Sequence, residues 1–512
     1  MTKNTYKKLV CAVTCVMLFA CGDEAGHLQT YPLQVALDDA LLFASPSSKS
    51  VRILDLTAKH LEPKTLETEV SDNVMHVERR LGDHNEAVFI LQAESADDTA
   101  NSAQQASALA LVGSKGVDRT IPLEPKFTLL QQSPDGHYGV LFGSGQTDHL
   151  LDNQAEIAVV DLNGKGEDAV SVRALDGLGA APAAVAFAPE LMIEGVRTQL
   201  LVVLSYEAIS LLDLQDPSAH DTTIDLRSVS GSPGMVPQLA FDAELGRIYA
   251  IRPSSPDIVV IDLVSQTDPS ADSAFRPVLS TLSLPSAVGK ISVYSINDEP
   301  RLLCALPQQN SAAIVDPVSG DVQVISPQHA VENVISHQLS ADQNNLQALL
   351  VGSGAVSTVS LQDVEAYGSA ARIRTLVQNL TISRLVMVED ANMALVVHST
   401  GGLSLLDLAA ETSTPFATKA FLTDVYVDKK RGGAWIAASG EDRVAFLDLR
   451  SRTQRELSLD APIEGLYPIL KQDRIVALHD SPWGYATVVD ANQPKESRAQ
   501  ALLGFLATGI AD

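Results

Sequence analysis

Nine aspartates recur along this chain at the ends of apolar runs rich in β-branched residues: Asp55, Asp161, Asp213, Asp262, Asp316, Asp363, Asp407, Asp448 and Asp490. A carboxylate can ligate a metal, move a proton, or accept backbone N–H groups. The first two roles need one special environment, so nine copies in matching settings point to the third. Elsewhere, DLNGKGEDA (161–169) sets Asp161, Asn163 and Gly166 at the first, third and sixth places of a calcium loop. Lys165 stands where an oxygen ligand belongs and Val172 replaces the closing glutamate, so the stretch reads as a polar hairpin turn. Asp148, His149 and Asp152 in GSGQTDHLLDNQAE (143–156) form the densest polar cluster. His398 and His479 close two further apolar runs with no second ligand at hand, which suits local hydrogen bonding better than a metal. Trp483 is one of two tryptophans and, if exposed, would anchor a protein partner. HExxH, HxH, GxSxG and P-loop motifs are absent, so no catalytic residue, metal or cofactor is assigned.

The apolar runs show what must position these groups. VRILDL (51–56), IAVVDL (157–162), ISLLDL (209–214), IVVIDL (258–263), AAIVDP (312–317), TVSLQD (358–363), LSLLDL (403–408), VAFLDL (444–449) and ATVVDA (486–491) form a series. After a first interval of 106, their aspartates step by 52, 49, 54, 47, 44, 41 and 42 residues. SALALVGSKG (107–116) sits midway through the long interval as a tenth copy without the aspartate. Each unit holds four short strand-like runs parted by turn residues, as in MVPQLAFDAELG, RIYAIRPSS, DIVVIDLVSQ and PVLSTLSLP. Strand-rich repeats of ~40 to 50 residues mark propeller blades. The expected fold is all-β: a β-propeller of four-stranded blades, seven to ten in number, with ten given by the unit count. The third strand is then covered on both faces by neighbouring blades and is apolar without alternation. Its aspartate ends the strand by accepting N–H groups of the turn to the fourth, a role expected of Asp262, Asp407 and Asp448. Residues 57 to 126 look least regular, and ESADDTANSAQQA (94–106) reads as a long mobile loop.

At these residues the sequence resembles the bacterial YVTN-type and related WD40-like propellers. Their blades run from a first strand ending in SPDG to a third ending in V-x-V-I-D-L. SPDG stands here at Ser133 to Gly136, with degenerate forms at 188–190, 241–246 and 427–432. The resemblance implies a propeller over about residues 30 to 512. It also implies binding at the face formed by the loops between second and third strands, where Trp483, Asp148, His149 and Asp152 fall.

The first residues speak to location. Lys3, Lys7 and Lys8 precede an apolar run from Leu9 to Ala20, too short at 1.5 Å per residue for a bilayer core of ~30 Å, so 1–20 reads as a signal peptide. LFAC, followed by Gly22 and Asp23, resembles the lipobox of bacterial lipoproteins, which implies that Cys21 carries lipid and that 21–30 tethers a propeller domain at 31–512. Cys11 and Cys15 would leave with the signal peptide. Cys304 would remain as a buried thiol, so no internal disulfide or cysteine metal site is expected. The 63 acidic residues against 36 basic ones leave a charge of −27, which argues against nucleic acid as a partner. The expected function is a lipid-anchored extracytoplasmic protein-binding or envelope-assembly module of the bacterial cell envelope, with an envelope protein or small ligand as its partner. Its rival is a propeller enzyme of lactonase-like or quinoprotein-like type, with a metal or cofactor in the channel.

Overall fold

A strand that is apolar at every position needs cover on both sides. The fold supplies that cover by stacking sheets around a ring. The computed structural model describes residues 31–506 except 47–48, 58–63, 93–105, 125–126, 144–154, 177–180, 216–219, 228–237, 266–274, 340–344, 419 and 493–498. The chain forms ten four-stranded antiparallel sheets, each with its strands in chain order. They are blades 1 to 10, at 33–69, 73–122, 129–174, 184–225, 238–283, 290–325, 333–378, 382–416, 424–458 and 463–503. All ten apolar runs are third strands.

The core is not inside the blades but between them. Ten hydrophobic clusters lie among the described residues, and each is shared by two blades consecutive along the chain, or by blades 10 and 1. The molecule is therefore a closed ten-bladed β-propeller. At the closing joint the Phe43 and Phe505 rings lie 5.3 Å apart, and the Tyr467 hydroxyl donates to Gln34 Oε1 at 2.6 Å. Blades 1 and 10 each keep four strands of their own, so no strand is exchanged to close the ring.

This architecture accounts for the recurring Asp-Leu phrase. The residue after the aspartate is a wedge: Leu56, Leu162, Leu214, Leu263, Leu408, Leu449 and Ala491 are all buried, each in the cluster shared with the preceding blade. The aspartate itself accepts an amide two or three residues ahead. The pairs are Asp55–Thr57, Asp161–Asn163 and Asp213–Gln215 at 2.8 Å, Asp316–Val318 at 2.8 Å, Asp407–Ala410 at 2.9 Å, Asp448–Ser451 at 2.7 Å and Asp490–Asn492 at 2.9 Å. The Ser451 amide holds the Asp448 carboxyl below the usual carboxylate range.

Two aspartates depart from that role. In blade 5 the third strand, Asp257–Ser265, runs straight through Asp262 because all nine residues pair with Phe275–Ser283. With no turn to close there, Asp262 pairs with the Arg247 guanidinium of the second strand. In blade 7 the matching position is Ser360, opposite Gln347. Its Oγ accepts the Asp363 amide at 3.2 Å and caps a short α-helix, Leu361–Tyr367, which places Asp363 in a helical first turn. The stretch that looked irregular contains a complete blade 2, because SALALV pairs on both sides without needing the aspartate. Most of the long loop expected there, together with residues 1–30 and hence Cys21, lies outside the described residues.

Candidate functional site

Antiparallel strands give each blade two ends. Turns joining first to second and third to fourth strands share one side of the ring, the turn face. Turns joining second to third strands and the connections between blades share the other, the link face.

On the turn face, charged side chains staple blade to blade. Arg80, 1% exposed, is the deepest: its Nε donates to Gly136 O at 2.8 Å, Nη1 to Glu86 Oε2 at 2.7 Å and Nη2 to Asn163 Oδ1 at 2.6 Å. It ties blade 2 to both turns of blade 3. Asn163, at the third place of the calcium-like loop, thus gives its oxygen to a guanidinium. Asp38 of blade 1 meets Arg79 of blade 2 at 2.5 Å and Lys471 of blade 10 at 2.6 Å. Arg431 of blade 9 reaches Asp473 and Asn492 of blade 10 at 2.5 and 3.0 Å. Lys430, Asn492 and Arg431 hold the Asp473 carboxyl at about 2. Arg301 of blade 6 meets Glu365 on the helix of blade 7 at 2.9 Å. Between blades 4 and 5 a hairpin, Leu191–Ile193 with Val196–Thr198, takes this part by donating Met192 N to Ala243 O at 2.8 Å.

Blades 8 and 9 are also bridged, by Lys429 and Asp390 at 3.1 Å and by Arg452 and Asp407 at 2.6 Å. Here the turns stand apart and leave a groove of about 510 Å³. Val388, Met393, Val427 and Leu449 give it apolar walls. Gly432, at φ 62, has nothing within 4 Å of where a Cβ would stand. Asp428, 2% exposed, is fully committed to Arg431 Nη1 at 2.7 Å and Trp435 Nε1 at 3.2 Å. The two bridges neutralise Asp390 and Asp407. Arg450, exposed at the rim, makes no side-chain hydrogen bond among the described residues. The arrangement suits a ligand with an apolar body and an anionic group.

Among the described residues, the link face holds three imidazole–hydroxyl pairs at the spacing of a nucleophile and its base. His329 Nε2 lies 2.7 Å from Ser357 Oγ, His398 Nε2 2.9 Å from Ser404 Oγ, and His479 Nε2 2.8 Å from Thr487 Oγ1. All three hydroxyl-bearing residues are buried, out of a substrate's reach. His329 and His479 each donate from Nδ1 to a main-chain carbonyl, Ala330 O at 2.7 Å and Pro462 O at 2.8 Å. These are latches on the third strand, and His479 is satisfied locally at both nitrogens, as its sequence setting suggested. His398 Nδ1 is buried without a partner, and burial pushes its pKa down. Trp483 is 51% exposed on this face. Asp148, His149 and Asp152 lie outside the described residues.

The innermost strands of blades 8, 9 and 10 add a polar cluster. Thr423 Oγ1 and the Tyr426 hydroxyl donate to Asp424 at 3.0 and 3.5 Å, with Arg384 acting on the same carboxyl by charge. Burial raises the Asp424 carboxyl above the usual range and pushes the Tyr426 and Tyr467 hydroxyls up to about 12. No group of three or more His, Cys, Asp or Glu suited to a metal stands among the described residues. Cys304 is buried, and burial raises its thiol pKa.

No protein-family model matches this chain, and no curated protein matches it. Among solved structures, it is similar to "Dihydro-heme d1 dehydrogenase NirN in complex with DHE", at TM-score 0.43 and 13% identity, covering 72% of this chain and 74% of that one. It is also similar to "Structure of Dos1 propeller", at TM-score 0.42 and 11% identity, covering 72% of this chain and 94% of that one. The likeness is one of fold.

Arg80, the deepest staple, and Arg450, at the rim of the groove, do not stand out in the sequence. The one available signal was the Arg79–Arg80 pair at the end of a first strand in an acidic chain.

Proposed function

We propose that this chain is a lipid-anchored, extracytoplasmic binding propeller of the bacterial cell envelope. In this reading the groove between blades 8 and 9 receives a partner segment that combines acidic and apolar side chains. The observation that carries the reading is the groove itself: about 510 Å³, with apolar walls and the unpaired Arg450 guanidinium at its rim, in a chain of net charge −27. A rigid ring supports it, because a stapled wall holds its shape before the partner arrives and lowers the ordering cost of binding. Arg450 would meet a carboxylate, and Val388, Met393 and Val427 would take the neighbouring apolar side chain.

The test pairs location with capture. A photo-crosslinking residue at position 391, an exposed alanine lining the groove, should trap an envelope partner in cells, and Arg450→Glu added to that protein should abolish capture while melting stays within about 1 °C of wild type. Capture that survives Arg450→Glu would defeat the groove assignment. For the anchor, Cys21→Ser should move the protein from membranes into the soluble extracytoplasmic fraction. Unchanged membrane partition would defeat the lipid reading.

A further inference from the structure

We infer that the link face at the joint of blades 10 and 1 lies against the bilayer, with Trp483 at the level of the lipid headgroups; this rests on the lipid anchor at Cys21 proposed above. The chain reaches the ring at Tyr31, which is buried in one cluster with Phe505 and Leu506. The Leu506 N–H donates to Trp483 O at 2.9 Å. A side chain at Gly484 would meet Leu506 Cγ and Phe505 Cδ2 at 2.9 Å, so the turn carrying Trp483 packs directly on that segment. Trp483 and the point where the tether joins the ring therefore share one joint.

Ten residue steps separate Cys21 from Tyr31. They span at most ~36 Å when fully extended, so a lipid at Cys21 keeps this joint close to the membrane surface. An indole is apolar with one polar N–H, and tryptophan gathers where water meets lipid. Leu503, 67% exposed at the end of the fourth strand of blade 10, stands on the same face. Phe421 and Leu380, in the connections after blades 8 and 7, continue the apolar exposure. The acidic chain is repelled by anionic lipid, so the surface that fits is zwitterionic.

The composition offers a clean readout, because the other tryptophan, Trp435, is 1% exposed. The lipidated protein is reconstituted in phosphatidylcholine vesicles, with and without bromine on the acyl chains, and its tryptophan emission is recorded. The expected result is quenching by the brominated lipid that disappears in Trp483→Phe, which leaves only Trp435. Anionic vesicles at low salt should weaken the quenching. Protein that floats with the vesicles yet shows no Trp483 quenching overturns the proposal. If wild-type protein fails to float, the lipid reading has failed, and the orientation is then tested by coupling Cys21 of the chain that begins there to a maleimide-bearing lipid. Buried Cys304 does not compete for the maleimide, and the same quenching, present or absent, decides.

Discussion

Arg80→Met removes the most deeply buried staple while keeping an apolar stem of similar length. Three hydrogen bonds are lost, to Gly136 O, Glu86 Oε2 and Asn163 Oδ1. Glu86 keeps Arg119 Nη2 at 3.1 Å, so its charge is not stranded, but the Gly136 carbonyl and the Asn163 amide lose their donor. Breaking a buried, hydrogen-bonded ion pair costs about 3 to 5 kcal/mol. Unfolding entropy of ~2.1 cal/mol/K per residue makes roughly 1 kcal/mol/K for a ring of this size melting as one unit. The expected fall in Tm is therefore about 3 to 5 °C by calorimetry. Arg197→Met is the control, since Arg197 and Glu190 pair at 3.3 Å with both side chains more than 60% exposed. It should cost no more than about 0.5 kcal/mol. If Arg80→Met melts within about 1 °C of that control, the staples do not hold neighbouring blades together and the reasoning fails.

Within the Asp-Leu phrase, Leu214→Ala should cost about 2 to 5 kcal/mol by denaturant midpoint, while Asp213→Ala, which loses one exposed turn hydrogen bond, should cost about 0.5 to 1.5 kcal/mol. Equal losses would contradict the wedge. Burial lowers the pKa of His398, so the unfolded chain takes up that proton first as pH falls below ~6.5. Stability should therefore drop between pH 7 and 5, and His398→Gln should flatten the drop in urea titrations. Asp473, held at about 2, should contribute stability above the ordinary carboxylate pKa of ~3.9 that is lost as pH falls toward 2. Asp473→Asn should lower stability at pH 7 by no more than ~1 kcal/mol, since the pair is partly exposed, and the variant should converge with wild type near pH 2.

The blade count and third strands were legible because they are written locally: a covered strand is apolar throughout, and a turn residue follows it. Asp262 was misjudged because its fate depends on Arg247 and on the length of a fourth strand beginning at Phe275, neither visible in the run itself. Asp363 was misjudged because Ser360 stands at the equivalent position and starts a helix. The staples were hidden for a related reason. Arg80 and Asn163 are 83 residues apart, and only the stacking of blade 2 on blade 3 brings them together. The groove was hidden more deeply, since the turn of blade 9 that borders it, VDKKRG, reads in the sequence as one more degenerate copy of the blade turn at 133–136.

The joint between blades 10 and 1 works as a clasp made like the other links of a bracelet. Rings closed by a shared strand can open only by tearing a sheet. Here separation would break no ladder hydrogen bond, because every sheet is complete within its own blade. Among the described residues, the clasp is held by contacts that include an apolar interface, the Tyr467–Gln34 hydrogen bond, the Lys471–Asp38 pair and the bond from Arg474 to Leu56 O. Opening the ring at this joint would therefore leave all ten sheets intact. Labels at the exposed positions 32 and 503 should separate in mild denaturant before the sheet amides of any blade exchange with solvent.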